Sequence, residues 1–86
     1  MLQAPQIRAA RALLDWSQYD LARAAKIGIA TVRRIEGQNG VNLAMVSTLL
    51  CIERAFEQAG IRFIEADSEG GIGVRLKSAK PKRQGR

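Results

Sequence analysis

The segment from Ser17 to Gly37, SQYDLARAAKIGIATVRRIEG, constrains the fold more than any other part of the chain. Ser17 is a good helix N-cap, and Asp20, three residues on, completes a reciprocal capping pair. Trp16 and Leu21 stand at the N′ and N4 positions, where a hydrophobic staple fixes the entry of the chain into a helix. A helix over 17–25 is therefore predicted, with Leu21, Ala22 and Ala25 facing inward. Lys26, Ile27 and Gly28 form a turn, with Ile27 as its buried anchor and Gly28 as the cap of a second helix over 29–36. Val32 and Ile35 face inward in that helix. Ile29, Ala30, Arg33 and Arg34 are left towards solvent, and Gly37 is placed to end it.

Two helices this short cannot shield their apolar faces alone, so the rest of the chain must complete one core. With 86 residues, 47% of them apolar, one small domain is expected. Pro5 suits the first turn of a helix over about 5–14, which turns Ile7, Ala10, Leu14 and Leu13 inward. Asn42 caps a longer helix over about 43–59. Its stripe is Met45, Val46, Leu49, Ile52, Phe56 and Ala59, widened by Leu43 and Leu50 to more than one face needs. Gly60 ends it. Beyond it IRFIEA and IGVRL alternate around the turn cluster DSEGG, which predicts a β-hairpin over 61–76 with strands of about six and five residues. Ile61 and Phe63 share one face of the first strand; Ile72, Val74 and Leu76 share one face of the second. The loop between them is read as four to six residues. The tail 77–86 is rich in Lys and Arg with one apolar residue, a composition of disordered segments.

No apolar run approaches the roughly 18 residues of a membrane span, and MLQAPQIRAAR lacks the apolar core of a secretory leader. A cytoplasmic location is expected. The single Cys51 reads as a small apolar residue buried in its helix, and Trp16 as core. The chain has no histidine, which removes the usual general base, the usual activator of a nucleophile and the commonest zinc ligand. Glu53 and Glu57 share a helix face, and a solvated surface explains that pair. The sequence therefore predicts no catalytic residue, no metal site and no cofactor.

The net charge of +6 is unevenly spread. Residues 1–40 carry six basic groups against three acids, residues 41–74 two against five, and residues 75–86 six against none. A basic front, an acidic middle and a basic tail point to a polyanion that meets part of the surface. Two helices joined by a tight turn, the second bearing adjacent arginines, outline a helix-turn-helix that lays one helix in the DNA major groove. Arg33 can reach guanine O6 and N7, and Ile29 or Ala30 a thymine methyl. Gln18 can meet a phosphate or a base edge, and the amides at its helix N-terminus a phosphate.

Ser17, Gln18, Leu21, Ala22, Ile27, Thr31, Val32, Arg34, Ile35 and Glu36 together resemble the Cro/repressor-type (lambda-repressor-like, XRE) helix-turn-helix family. The resemblance covers about residues 6–59. RALLDWSQ before the motif, and AGIRFI with GVRL after it, are similar to a small bacterial and phage subgroup. It implies a mainly α, four-helix domain followed by a C-terminal hairpin, acting as a sequence-specific transcriptional regulator, with repression the expected act. It implies DNA-facing roles for Gln18, Gly28, Ile29, Ala30, Arg33, Arg34, Gln38 and Asn39. It also implies that Arg11 and Glu36 join the first and third helices as a structural salt bridge. Lys26 stands where the family often has glycine, and Gly28 where it has Ser or Thr. No basic residue lies between Arg34 and Arg54, so the basic tail (Lys77, Lys80, Lys82, Arg83 and Arg86) is expected to supply phosphate contacts. One recognition helix reads few base pairs, so a homodimer is expected, formed through the hairpin. The alternative is an antitoxin-like or adaptor module whose hairpin binds another protein, with DNA binding secondary.

Overall fold

A computed structural model describes residues 2–37, 40–41 and 44–78 of the chain. Four helices, α1 (Ala4–Leu14), α2 (Gln18–Ala25), α3 (Ile29–Glu36) and α4 (Val46–Gln58), precede a hairpin of β1 (Ile61–Ile64) and β2 (Gly73–Leu76). The fold is mainly α, as the sequence predicts. Among the described residues, no helix is long and apolar enough to cross a membrane.

The first three helices begin and end within a residue of the expected positions because their caps are local. At Ser17 the side-chain oxygen accepts from the Asp20 amide at 3.0 Å, and the Asp20 carboxylate accepts from the Ser17 amide at 2.8 Å. Asp15 and Lys26 end α1 and α2 in the left-handed region, at φ 57° and 59°. These are sites where glycine usually stands.

The largest fully buried side chains are Ile7 from α1, Leu21 from α2, Val32 and Ile35 from α3, Ile52 and Phe56 from α4, and Ile61 from β1. Every element but β2 thus gives the core at least one fully buried residue. Trp16 stacks on Phe56 with ring centroids 5.4 Å apart, and Phe63 meets Phe56 edge-on at 5.8 Å. Both are favoured geometries for aromatic pairs, and they tie the α1–α2 junction and the hairpin to α4.

The second half departs from the sequence reading in several places. The fourth helix starts at Val46, not near residue 43, with Met45 as its extended N-cap. The reason lies upstream. The Gly40 amide donates to the Gly37 carbonyl, Val41 is buried, and the Ala44 amide turns back to the Val41 carbonyl. The chain is thereby tied to the end of α3 before it can coil again. A side chain at Gly40 would lie 1.8 Å from the Arg34 carbonyl oxygen, so only glycine fits there. The expected cap Asn42 and the expected Leu43 lie outside the described residues.

The α4 stripe is narrower than expected. Leu49, Ile52, Ala55 and Phe56 are buried, but Met45 and Val46 are 71% and 58% exposed and Leu50 faces out. Cys51, one position off the stripe, is exposed rather than buried. Leu13 is also exposed.

The hairpin pairs Ile61 with Leu76, Arg62 with Arg75, Phe63 with Val74 and Ile64 with Gly73. Its strands have four residues each, and residues 65–72 link them, a longer connection than predicted. Asp67 closes that link by accepting from the amides of Glu69 and Gly70 at 2.8 and 3.1 Å. Ile72 lies in the link and is exposed, so it does not join the inward row of Val74 and Leu76. The hairpin is moored by Gln6. Its buried amide donates to the carbonyls of Ile64 and Gly73 at 3.1 and 3.0 Å, and its oxygen accepts from the Gln3 amide at 2.9 Å.

Candidate nucleic-acid interface

The turn between α2 and α3 is set by three consecutive residues. Lys26 takes the left-handed conformation, and its amide donates to the Arg23 carbonyl; the Ile27 amide donates to the Ala22 carbonyl at 3.0 Å. Ile27 packs against the core. Gly28 is extended, and its carbonyl accepts from Thr31 and Val32 at 3.1 and 3.2 Å, starting α3. Apolar residues at 32 and 35 bury one side of α3 and leave Ala30, Arg33 and Arg34 exposed. Ile29 was expected to face solvent. It is only partly exposed, because its side chain packs against the core.

The angle of α3 is held at its other end by Glu36. This carboxylate is buried and takes both arms of Arg11: Nε to Oε2 at 2.7 Å and Nη2 to Oε1 at 2.8 Å. A two-pronged guanidinium–carboxylate pair is among the strongest and most directional polar contacts a protein makes. Arg11 also donates to the Trp16 carbonyl at 3.1 Å, and Arg8 donates to the Glu36 carbonyl at 2.6 Å. One acidic residue therefore receives α1 twice, and through Arg11 it is joined to the α1–α2 junction.

Gln18 belongs to this cluster rather than to the outer surface. Its amide nitrogen donates to Glu36 Oε1 at 3.1 Å, which ties the first turn of α2 to the last turn of α3. That bond engages one N–H of the Gln18 amide within the fold, and the residue stays half-exposed. Glu36 can take it because a carboxylate offers about four acceptor sites and Arg11 fills two. The α2 N-terminus is likewise less open than expected. Its capping pair uses the amides of Ser17 and Asp20, and the Asp20 carboxylate sits at its mouth.

Tyr19 stands beside Arg33. Arg33 Nη2 donates to the Tyr19 hydroxyl oxygen at 3.0 Å, and the guanidinium carbon lies 5.6 Å from the ring centroid. The exposed strip of α2 and α3 therefore comprises Tyr19, Arg23, Lys26, Ala30, Arg33 and Arg34. Arg23 is held loosely to Asp20 at 3.4 Å. The strip is basic, shallow and built on two helices whose relative angle is bonded at both ends.

Lys77 donates to the Glu57 carbonyl at 2.8 Å, near the C-terminal end of α4, where a cation complements the helix dipole. That bond uses one of the three ammonium donors of an exposed side chain. Gln38, Asn39, Lys80, Lys82, Arg83 and Arg86 lie outside the described residues. Among the described residues, no group of acidic or thiol side chains is arranged to hold a metal ion. No known protein-family model matches the chain, and no curated protein matches it.

Proposed function

We propose that the chain is a sequence-specific double-stranded DNA-binding regulator, a repressor of the lambda-repressor-like helix-turn-helix kind, reading the major groove with α3. The observation that carries this reading is the exposed run Ala30, Arg33 and Arg34 on a helix whose angle is set by the bonded Glu36 cluster. A groove reader needs short or donor-bearing side chains on the outer face and a rigid mount behind them. Ala30 lets the helix approach a thymine methyl, and arginine gives two donors to guanine. Arg34, Lys26 and Arg23 flank that face and suit phosphates, which position without specifying.

Dimerisation belongs to the same proposal. Ile64 and Ile72 of the hairpin and Met45, Val46 and Leu50 of α4 are exposed apolar residues, and a second copy would cover some of them. The same side chains support the second reading, an adaptor or antitoxin-like module that binds a different protein. Sedimentation of the purified chain separates the two: a homodimer supports the first, and a monomer that recruits another protein supports the second.

The decisive experiment is selection of bound duplexes from a random pool at stated salt. Recovery of no enriched motif removes the regulator reading. With a motif in hand, Arg33→Ala is expected to weaken binding by about 1–3 kcal/mol at one base position only.

A further inference from the structure

Among the described residues, Arg33 is the exposed arginine of α3 that has a partner on another helix. Tyr19 lies 14 residues earlier, in the first turn of α2, and gives that partner twice over. Its hydroxyl oxygen accepts from Nη2 at 3.0 Å, and its ring lies within cation–π range of the guanidinium at 5.6 Å. Both side chains are exposed, so burial does not force them together.

We propose that Tyr19 is a positioning residue that makes Arg33 selective for guanine. This rests on the DNA-reading proposal above. A guanidinium offers two neighbouring pairs of N–H groups, one across Nε and Nη2 and one across Nη1 and Nη2. The tyrosine oxygen takes one Nη2 hydrogen, which breaks one of those pairs and leaves the other whole. The remaining pair is the donor fork that guanine O6 and N7 require. An unrestrained arginine swings between bases and phosphates and binds many sequences comparably. One held against a tyrosine offers a single fork in a single direction, and its side-chain freedom is reduced before DNA arrives. The phenol adds a consequence of its own: with its oxygen accepting from Arg33, its O–H is turned away as a donor.

The test is a double-mutant cycle on the full chain with Tyr19→Phe, Arg33→Ala and both together. Binding is measured against the enriched duplex, the same duplex with the Arg33-dependent guanine replaced, and an unrelated duplex. Tyr19→Phe keeps the ring and removes the accepting oxygen. It is expected to weaken the enriched duplex about 3- to 10-fold, a single hydrogen bond's worth, and to leave the unrelated duplex unchanged. In the Arg33→Ala background it is expected to change nothing further. A uniform loss on all duplexes, or a loss that persists without Arg33, makes Tyr19 a phosphate contact and overturns the proposal. An unaltered enriched duplex overturns it as well. In the free protein, the order parameter of the Arg33 side-chain Nε–H is expected to fall on Tyr19→Phe, and an unaltered value counts against positioning. Wild-type protein that selects no motif defeats the DNA reading itself, whereas selective wild type with an indifferent Tyr19→Phe defeats only the role of Tyr19.

Discussion

Removing the Arg11 guanidinium should cost far more than removing an ordinary surface charge. In Arg11→Met the stem remains and the head goes, so packing is largely kept. Two bonds to Glu36, at 2.7 and 2.8 Å, and one to the Trp16 carbonyl, at 3.1 Å, disappear. The Glu36 carboxylate keeps only the Gln18 amide, and the side chain is 4% exposed, so water replaces little of what the guanidinium gave. Stranding one member of a buried pair costs about 3–5 kcal/mol. The native fold itself is worth only about 4–13 kcal/mol at this chain length. With a urea slope of roughly 1–1.5 kcal/mol per molar, the midpoint should fall by about 2–5 M. Arg23→Ala gives the internal comparison. Its bond to Asp20 is 3.4 Å long and its side chain 78% exposed, and its removal should cost a few tenths of a kcal/mol at most.

Because Arg11→Met can leave little folded protein, Glu36→Gln is its milder companion. It keeps the shape of the side chain and removes its charge, and about 1–3 kcal/mol of destabilisation is expected. The Arg11→Met/Glu36→Gln double variant should be less destabilised than the sum of the singles by at least about 1 kcal/mol, since neither partner is then stranded. Urea melts followed by circular dichroism measure all four proteins. A cost below about 1 kcal/mol for Arg11→Met, or strict additivity in the cycle, would refute the view that this pair fixes α3.

Four further outcomes follow from other residues. Gln6→Ala leaves the Gln3 amide and the carbonyls of Ile64 and Gly73 without their partner, so stability in urea should fall by about 1–3 kcal/mol; amide exchange should quicken most at the hairpin. Gly40→Ala places a methyl 1.8 Å from the Arg34 carbonyl oxygen, and a destabilisation of at least about 2–3 kcal/mol in thermal or urea melts is expected. Lys26→Gly relieves a left-handed residue at φ 59° and should raise stability by about 0.5–1 kcal/mol; a decrease would show that the turn is not strained. Truncation after Ser78 removes Lys80, Lys82, Arg83 and Arg86, and the log–log salt slope of duplex binding should flatten by roughly 0.9 for each phosphate the tail had neutralised.

What the sequence discloses and what it conceals divide along the range of the interactions involved. The Ser17–Asp20 cap acts over three residues, and the turn at 26–28 depends on residues that neighbour one another, so local pattern finds both. The inward rows of α2 and α3 follow from spacing alone. Gln6 is another matter. Nothing near it marks a glutamine as the mooring of a hairpin 58 residues away, and only the fold puts the two carbonyls in its reach. The delayed start of α4 is hidden for the same reason: apolar residues after Gly40 look helical until Val41 is drawn into the core.

The site shows the same division at finer grain. Spacing finds which α3 residues point outward, but the partner of each is set by the crossing of α2 over α3. That crossing takes Gln18, expected at the surface, into the Glu36 cluster, and brings Tyr19, to which spacing assigns no partner, against Arg33. Both reside in the first turn of α2, one position apart and about 100° apart around the helix. A single rotation thus sends the first inward to hold the helices together and the second outward to hold the side chain they present. The mount and the reading surface are consequently coupled: a change at Glu36 that lets α2 turn should disturb the Tyr19–Arg33 contact without touching either residue.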